Sequence, residues 1–316
     1  MRVVGLCTTF ENANNYGTML QAYATKKSIE NLGFVCRMIR YKRKYDLKFF
    51  VTQGFRVFEK GFISHELKRR KKRKQLKENI KFSEVYQPRT VAVKEFQKQF
   101  FLNDVDTYYG YDDLCRGSLN YDSVVVGSDQ LWLPSGMRTN FFNLMFVDDK
   151  INKISYATSF GVSIIEKTYW KDMRRFIPRI NFLSVRENTG QKLIKDIVGL
   201  DAKVVVDPTM LLTKDEWKKI VPDRRLLTED YIFCYFLGRN MKCRTFAKSI
   251  KKETGLPIVV LKHLDEYIEE DNEFGDISPA SVGPMEFVNY IRHAKYVLTD
   301  SFHGTVFSIL YPKNFL

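Results

Sequence analysis

Short apolar runs rich in β-branched residues alternate with helical patterns along most of the chain. That rhythm predicts an α/β protein built on parallel sheets. The first unit is a strand over residues 2–9, a polar loop Glu11-Asn12-Ala13-Asn14-Asn15-Tyr16-Gly17 and a helix over residues 18–31. Met19, Leu20, Tyr23, Ala24 and Ile29 supply the sheet-facing positions of that helix, and Gly33 suits its stop. A second strand over residues 34–41 completes a βαβ-like unit, and residues 92–101 read as a helix. Further strands are predicted at 123–126, 154–157, 182–185 and 203–206. Pro208 cannot extend an interior strand, so the domain boundary is placed there. The expectation is an N-terminal Rossmann-like domain over 1–207 and a C-terminal one over 208–316, facing each other across a cleft. In the second, strands at 231–237, 257–262 and 296–299 alternate with helices near 241–253, 284–293 and 305–311. The pattern stops at Tyr311-Pro312-Lys313-Asn314-Phe315-Leu316, where another strand is expected; a short second domain and a truncated chain both stay open.

Charge changes this picture at one place. The chain has 316 residues, with 51 Lys+Arg against 37 Asp+Glu and a formal charge of +14. Between Arg40 and Lys81 there are 16 basic and 4 acidic residues, a net +12, so the remainder is nearly neutral. This marks a basic insertion at about 42–85, within which residues 68–74 are an unbroken run of Lys and Arg. Such a run repels itself unless solvated or paired with anions. Two readings stay open: a solvated insertion without a partner, and peripheral contact with an anionic membrane leaflet, worth about 1 kcal/mol per basic residue near the surface. Nucleic acid is not expected, because no helix-turn-helix, zinc-finger or RNA-binding aromatic signature accompanies the patch. No apolar run reaches the roughly 18 residues needed to cross a bilayer. The N-terminus lacks a secretory signal, which places the chain in the cytoplasm, with the inner membrane face as the site of any peripheral contact. The five cysteines have neither zinc-ligand nor disulfide-framework spacing and read as reduced thiols; no metal site is expected.

In open α/β sheets ligands collect beyond the carboxyl ends of strands, so the strand-to-helix turns hold the candidate chemistry. In Thr299-Asp300-Ser301-Phe302-His303-Gly304-Thr305, a helix N-terminus favours an anion, Gly304 permits close approach, Ser301 and Thr305 add hydroxyls, and His303 can move a proton near neutral pH. A capping or loop-bonding His is the plainer alternative. In Gly127-Ser128-Asp129-Gln130-Leu131-Trp132, Ser128 and Asp129 suit sugar hydroxyls or base catalysis and Trp132 offers a flat face to a sugar ring; an N-cap with a core Trp is the structural alternative. Asn15, Tyr16 and Gly17 form a third ligand-facing turn, which is neither a Walker A nor a GxGxxG sequence. Arg186 closes a strand and suits a phosphate or carboxylate, or an ion pair with Glu187 or another acid. Arg239 occupies the equivalent place in the second half.

Taken together, Asn15-Tyr16-Gly17 with Leu20-Gln21, Val126-Gly127-Ser128-Asp129-Gln130-Leu131-Trp132, Ser155-Tyr156-Ala157-Thr158-Ser159-Phe160-Gly161, Ser184-Val185-Arg186-Glu187, Val206-Asp207-Pro208-Thr209 and Ser301-Phe302-His303-Gly304 resemble the polysaccharide pyruvyl transferase family, in the family's order and over almost the whole chain. The resemblance implies a GT-B-like pair of Rossmann domains and transfer of a pyruvyl group from phosphoenolpyruvate, as co-substrate and without another cofactor, to a sugar or lipid-linked glycan acceptor. It implies His303 as acid/base with Asp129 second. Arg186, Ser301, Gly304, Thr305 and Arg239 would meet the donor, and Asn15, Tyr16, Gly17, Ser128, Gln130 and Trp132 the acceptor. Members often carry an Arg where this chain has Ser301; weaker donor binding, compensation by Arg239 and a changed donor are the three alternatives. Two other functions stay open on the residues alone: a glycosyltransferase using a nucleotide sugar, and a non-catalytic basic binding module.

Overall fold

The computed structural model describes residues 1–11, 14–44, 67, 70–72, 74–264 and 267–316. Much of the expected basic insertion, including Lys68, Arg69 and Arg73 of its heptapeptide, lies outside the described residues. No helix among the described residues is long and apolar enough to cross a membrane.

Strands β1 (Val3–Cys7), β2 (Val35–Lys42), β3 (Val105–Tyr109), β4 (Ser123–Val126) and β5 (Asn152–Ser155) form one sheet in the order β3-β2-β1-β4-β5. Each pair is parallel. The runs Val4-Gly5-Leu6-Cys7 and Val124-Val125-Val126 are buried, as a sheet covered on both faces requires. Beyond β5 the Ser155 amide donates to the Phe182 carbonyl (2.9 Å), and the parallel pair β6 (Ser184–Val185) and β7 (Lys203–Val204) continues the layer. Helices in this part of the chain include α1 (Tyr16–Asn31), α2 (Ile80–Phe100), α3 (Tyr111–Gly117), α4 (Trp170–Phe176) and α5 (Asn188–Val198). In α5, Gly190, Ile194 and Ile197 recur at helical spacing on the buried side, and Gly199 ends the helix at φ 83°, a left-handed conformation that glycine adopts without steric cost.

A second sheet, also parallel, takes β8 (Ile232–Tyr235), β9 (Ile258–Val260), β10 (Tyr296–Thr299) and β11 (Asn314–Phe315) in the order β11-β10-β8-β9. The strand expected after Tyr311 is therefore present as β11. Helices α6 (Lys214–Lys218), α7 (Met241–Thr254), α8 (Pro284–His293) and α9 (Phe302–Leu310) accompany it. Thr213 and Glu216 close a reciprocal capping box on α6, which is why so short a helix persists.

The fold is thus α/β with parallel, Rossmann-like sheets. Its contacts gather into two units, and the division departs from the expected boundary. One unit is residues 1–13, 20–64 and 99–211; the other is 14–19, 65–98 and 212–316. Side-chain packing explains why two early segments join the later half. Tyr16 stacks on Phe287 with ring centroids 4.8 Å apart, and Phe82 and Val85 of α2 cluster with Leu264. Helix α2 also begins well before the expected residue 92 and carries Pro88 inside it. A proline removes one helical hydrogen bond and reads in sequence as a break. Here the buried stripe Phe82, Val85, Arg89, Val93 and Phe96 holds the helix together across it.

The core of the first unit includes Trp132, which is 0% exposed. Its ring lies 5.4 Å from Phe160 and 5.3 Å from Phe176, and its indole N–H donates to the Phe142 carbonyl (3.0 Å). The expected sugar-facing role is corrected: the residue fills the core, because a large aromatic with a satisfied N–H contributes most when fully buried. Trp132→Ala is expected to lower unfolding stability by about 3–5 kcal/mol in urea titrations, the range for deleting a buried Phe or Trp side chain.

Candidate active site

In the first unit the turns after β4, β5, β6 and β7 leave from the carboxyl edge of one layer, and a buried carboxylate joins three of them. Asp207 is 2% exposed. Its Oδ1 accepts from the Thr209 amide (3.0 Å) and hydroxyl (2.7 Å). Its Oδ2 lies 2.6 Å from Ser128 Oγ and 3.3 Å from Arg186 Nη1. Ser128 Oγ also stands 3.1 Å from the Ala157 carbonyl, but it has one proton, and the closer, charged oxygen takes it. Ser128 is fully buried, so it holds the turn rather than facing an acceptor sugar as expected.

Around Arg186, Nη2 is 3.7 Å from Asp129 Oδ1 and Nε is 3.6 Å from Glu187 Oε2. The ion-pair reading of Arg186 therefore describes the structure as it stands, with a side chain 8% exposed. The contacts to Asp129 and Glu187 are longer than hydrogen bonds, and an arriving anion would compete with those two first. Asp129 sits at φ 78°, a left-handed conformation uncommon outside glycine, which Asp tolerates better than most residues. Gln130, next to it, is exposed.

In the second unit His303 opens α9 just past the carboxyl end of β10. The residue is 7% exposed, and its ring meets Phe302 edge-on at 5.1 Å. Gly17, in the first turn of α1, lies against it so closely that a Cβ placed there would stand 2.0 Å from His303 Nδ1. The structure thus brings Gly17 and His303 together, as two turns expected to share a site. Asn15 is exposed and caps α1 by accepting from the Thr18 amide (3.1 Å).

Tyr16 departs from its expected role at an acceptor. It is 1% exposed, and its hydroxyl donates to the Val282 carbonyl (3.1 Å). Burial pushes its phenol far above the ordinary range. Between Phe287 and Tyr235 it is part of the aromatic core.

The neighbours of His303 also serve the turn itself. Ser301 Oγ accepts from the Gly304 amide (3.3 Å), capping α9. Thr305 Oγ1 donates to the Ser301 carbonyl (3.2 Å). A Cβ at Gly304 would lie 2.6 Å from Thr299 Oγ1, so that glycine answers the approach of α9 to β10, not the approach of a ligand as expected. Arg239 is exposed, on a turn pinned beside this one by the Leu237 amide donating to Asp300 Oδ1 (2.7 Å). Among the described residues no three His, Cys, Asp or Glu side chains group as metal ligands.

Two functional candidates escaped the sequence reading. Asp207 was visible only as the start of an Asp-Pro-Thr turn, and Arg89 sits in the middle of a helix, with nothing but its place on an apolar stripe to mark it.

The family model for polysaccharide pyruvyl transferase matches residues 15–316. Comparison with curated proteins gives no sequence match. Among solved structures, the chain is similar to UDP-GlcNAc 2-epimerase from Neisseria meningitidis bound to UDP-GlcNAc, at TM-score 0.45 and 10% identity over 95% of this chain and 78% of that one. It is similar to UDP-N-acetylglucosamine 2-epimerase from Rickettsia bellii at TM-score 0.49 and 10% identity, over 100% of this chain and 78% of that one. For the E. coli heptosyltransferase WaaC the values are 0.36 and 10%, over 100% and 87%.

Gly17→Ala places a methyl group where the imidazole of His303 now lies. Overpacking of this kind costs about 1–3 kcal/mol. Denaturant titration is expected to show that loss together with a shifted His303 ring resonance; an unmoved resonance would mean that α1 and α9 are not in contact there.

Proposed function

Because the chain belongs to the polysaccharide pyruvyl transferase family and is an enzyme of that glycan-modifying type, we propose that it transfers the pyruvyl group of phosphoenolpyruvate to two hydroxyls of one sugar, closing a ketal and releasing phosphate. The observation that carries this reading is the family match over residues 15–316; the position of His303 at a strand-to-helix turn supports it.

The chemistry balances with donor and diol alone, so the reading calls for no cofactor. Carbon C3 of phosphoenolpyruvate gains a proton, which turns C2 into an oxocarbenium-like centre. The first sugar hydroxyl bonds to C2 and gives up its proton. The C2–O bond to phosphate breaks, and the second hydroxyl closes the ring. One hydroxyl proton ends on the new methyl group and the other on phosphate. A single side chain that both takes and gives a proton near neutral pH suits this cycle, and imidazole is the side chain with that property.

We assign that role to His303, with Asp129 as the second candidate. Arg186 is assigned to the donor, whose phosphate and carboxylate both suit a guanidinium fork. Arg239, exposed on the turn beside Ser301, is the candidate for a second cationic contact. The acceptor class is a sugar of a polysaccharide or of a lipid-linked precursor, with Asn15 and Gln130 as the exposed polar residues of the acceptor turns.

Phosphate release from phosphoenolpyruvate is expected only when an acceptor glycan is present. His303→Ala should lower turnover by about 10²–10⁴-fold, the usual worth of general acid–base catalysis, with the fold retained by circular dichroism. Thermal stabilisation by UDP- or GDP-sugars with none by phosphoenolpyruvate would contradict the reading.

A further inference from the structure

Arg89 is a buried cation that forms no ion pair among the described residues. The residue is 1% exposed, on the buried stripe of α2. Its Nη1 donates to the Lys262 carbonyl (2.6 Å), and its Cζ stands 5.6 Å from the centre of the Tyr16 ring. Among the described residues its Nε and Nη2 have no hydrogen-bond partner. These two atoms are the side edge of the guanidinium, whose parallel N–H bonds fit the two oxygens of a carboxylate or phosphate. The edge suited to bidentate recognition is the one left without a hydrogen bond.

A purely structural role does not account for this residue. A desolvated charge without a counter-charge is strongly unfavourable, and a methionine would fill the same stripe and keep a favourable contact with the Tyr16 ring at no such cost. Position points the same way. Lys262 follows β9, Tyr235 ends β8 and His303 follows β10, so Arg89 reaches the carboxyl edge of the second sheet, where open α/β sheets take ligands. Tyr16, under the guanidinium, is followed by Gly17, which lies against His303.

We propose that Arg89 is an oxyanion-binding residue of the second unit and takes a carboxylate or phosphate group of a small ligand through Nε and Nη2. Naming phosphoenolpyruvate as that ligand rests on the proposed function; the anion site does not.

Thermal unfolding of the full chain tests it, with inorganic phosphate, pyruvate and phosphoenolpyruvate as probes and chloride at equal ionic strength as control. Wild type should be stabilised by at least one probe beyond the control. Arg89→Met should unfold no earlier than wild type without anion, and should bind that probe at least about tenfold more weakly, the loss of one charge-assisted contact. Arg89→Lys, which keeps the charge without the fork, should fall between the two. The probe that is lost separates a phosphate subsite from a carboxylate subsite. The proposal is overturned if no probe stabilises wild type, if Arg89→Met keeps wild-type anion affinity, or, should Arg89→Met not fold, if Arg89→Lys binds as wild type does. Anion binding that depends on Arg89 without pyruvyl transfer from phosphoenolpyruvate would uphold this site and remove the proposed activity.

Discussion

Parallel pairing is the constraint from which the rest of the molecule follows. Every strand pair among the described residues is parallel, so each unit delivers its strand-to-helix turns to one edge. Parallel strands need crossovers, and the returning helices bury both faces of the sheet. Polar residues that would be unaffordable inside therefore collect on the carboxyl edge. In the first unit that edge is organised by Asp207, which binds the turn after β4 through Ser128, the turn after β6 through Arg186 and its own turn through Thr209. Withdrawing that carboxylate would remove the nearest of three carboxylates beside Arg186, at 3.3 Å against 3.7 Å for Asp129 and 3.6 Å for Glu187.

The second unit reaches the same end by close packing. Gly17 and Gly304 are small because His303 and Thr299 occupy the space a side chain would need. Ser301 and Thr305 spend their hydrogen bonds on the backbone of their own turn. Much of what looks in the motif like a ligand-binding set is thus the frame that fixes one imidazole. The acid/base role proposed for His303 calls for such fixing, since proton transfer requires the donor and acceptor within hydrogen-bond reach.

How much of this is legible in the chain depends on whether a residue's role is local. Strands β1 and β4 announce themselves by apolar runs, β2 by Val, Met, Ile and Tyr set between basic residues, and the αL stop at Gly199 is a local steric matter. The strand Val105–Tyr109 escapes because its Asp, Thr and Tyr residues, half-buried except for the exposed Tyr109, stand at a sheet edge and read as polar. The start of α2 escapes because Pro88 and flanking charges hide a stripe that only tertiary neighbours stabilise. Trp132 and Tyr16 mislead for a related reason. An aromatic beside a polar turn looks the same whether it faces a sugar or the core, and the deciding partners, Phe160 and Phe176 for one and Phe287 for the other, lie elsewhere in the sequence. Asp207 and Arg89 are visible only when distant turns and a buried, unpartnered edge are seen in three dimensions.

The central claim is that an imidazole moves a proton to carbon C3 of phosphoenolpyruvate while a sugar diol replaces phosphate at C2. Turnover in deuterated water followed by mass spectrometry and proton NMR of the glycan product tests it most directly. A pyruvate ketal whose methyl group carries one solvent deuterium is expected with the wild-type chain, and no such product with His303→Ala. A product bearing a sugar from a nucleotide donor, or a ketal formed undiminished by His303→Ala, would contradict it.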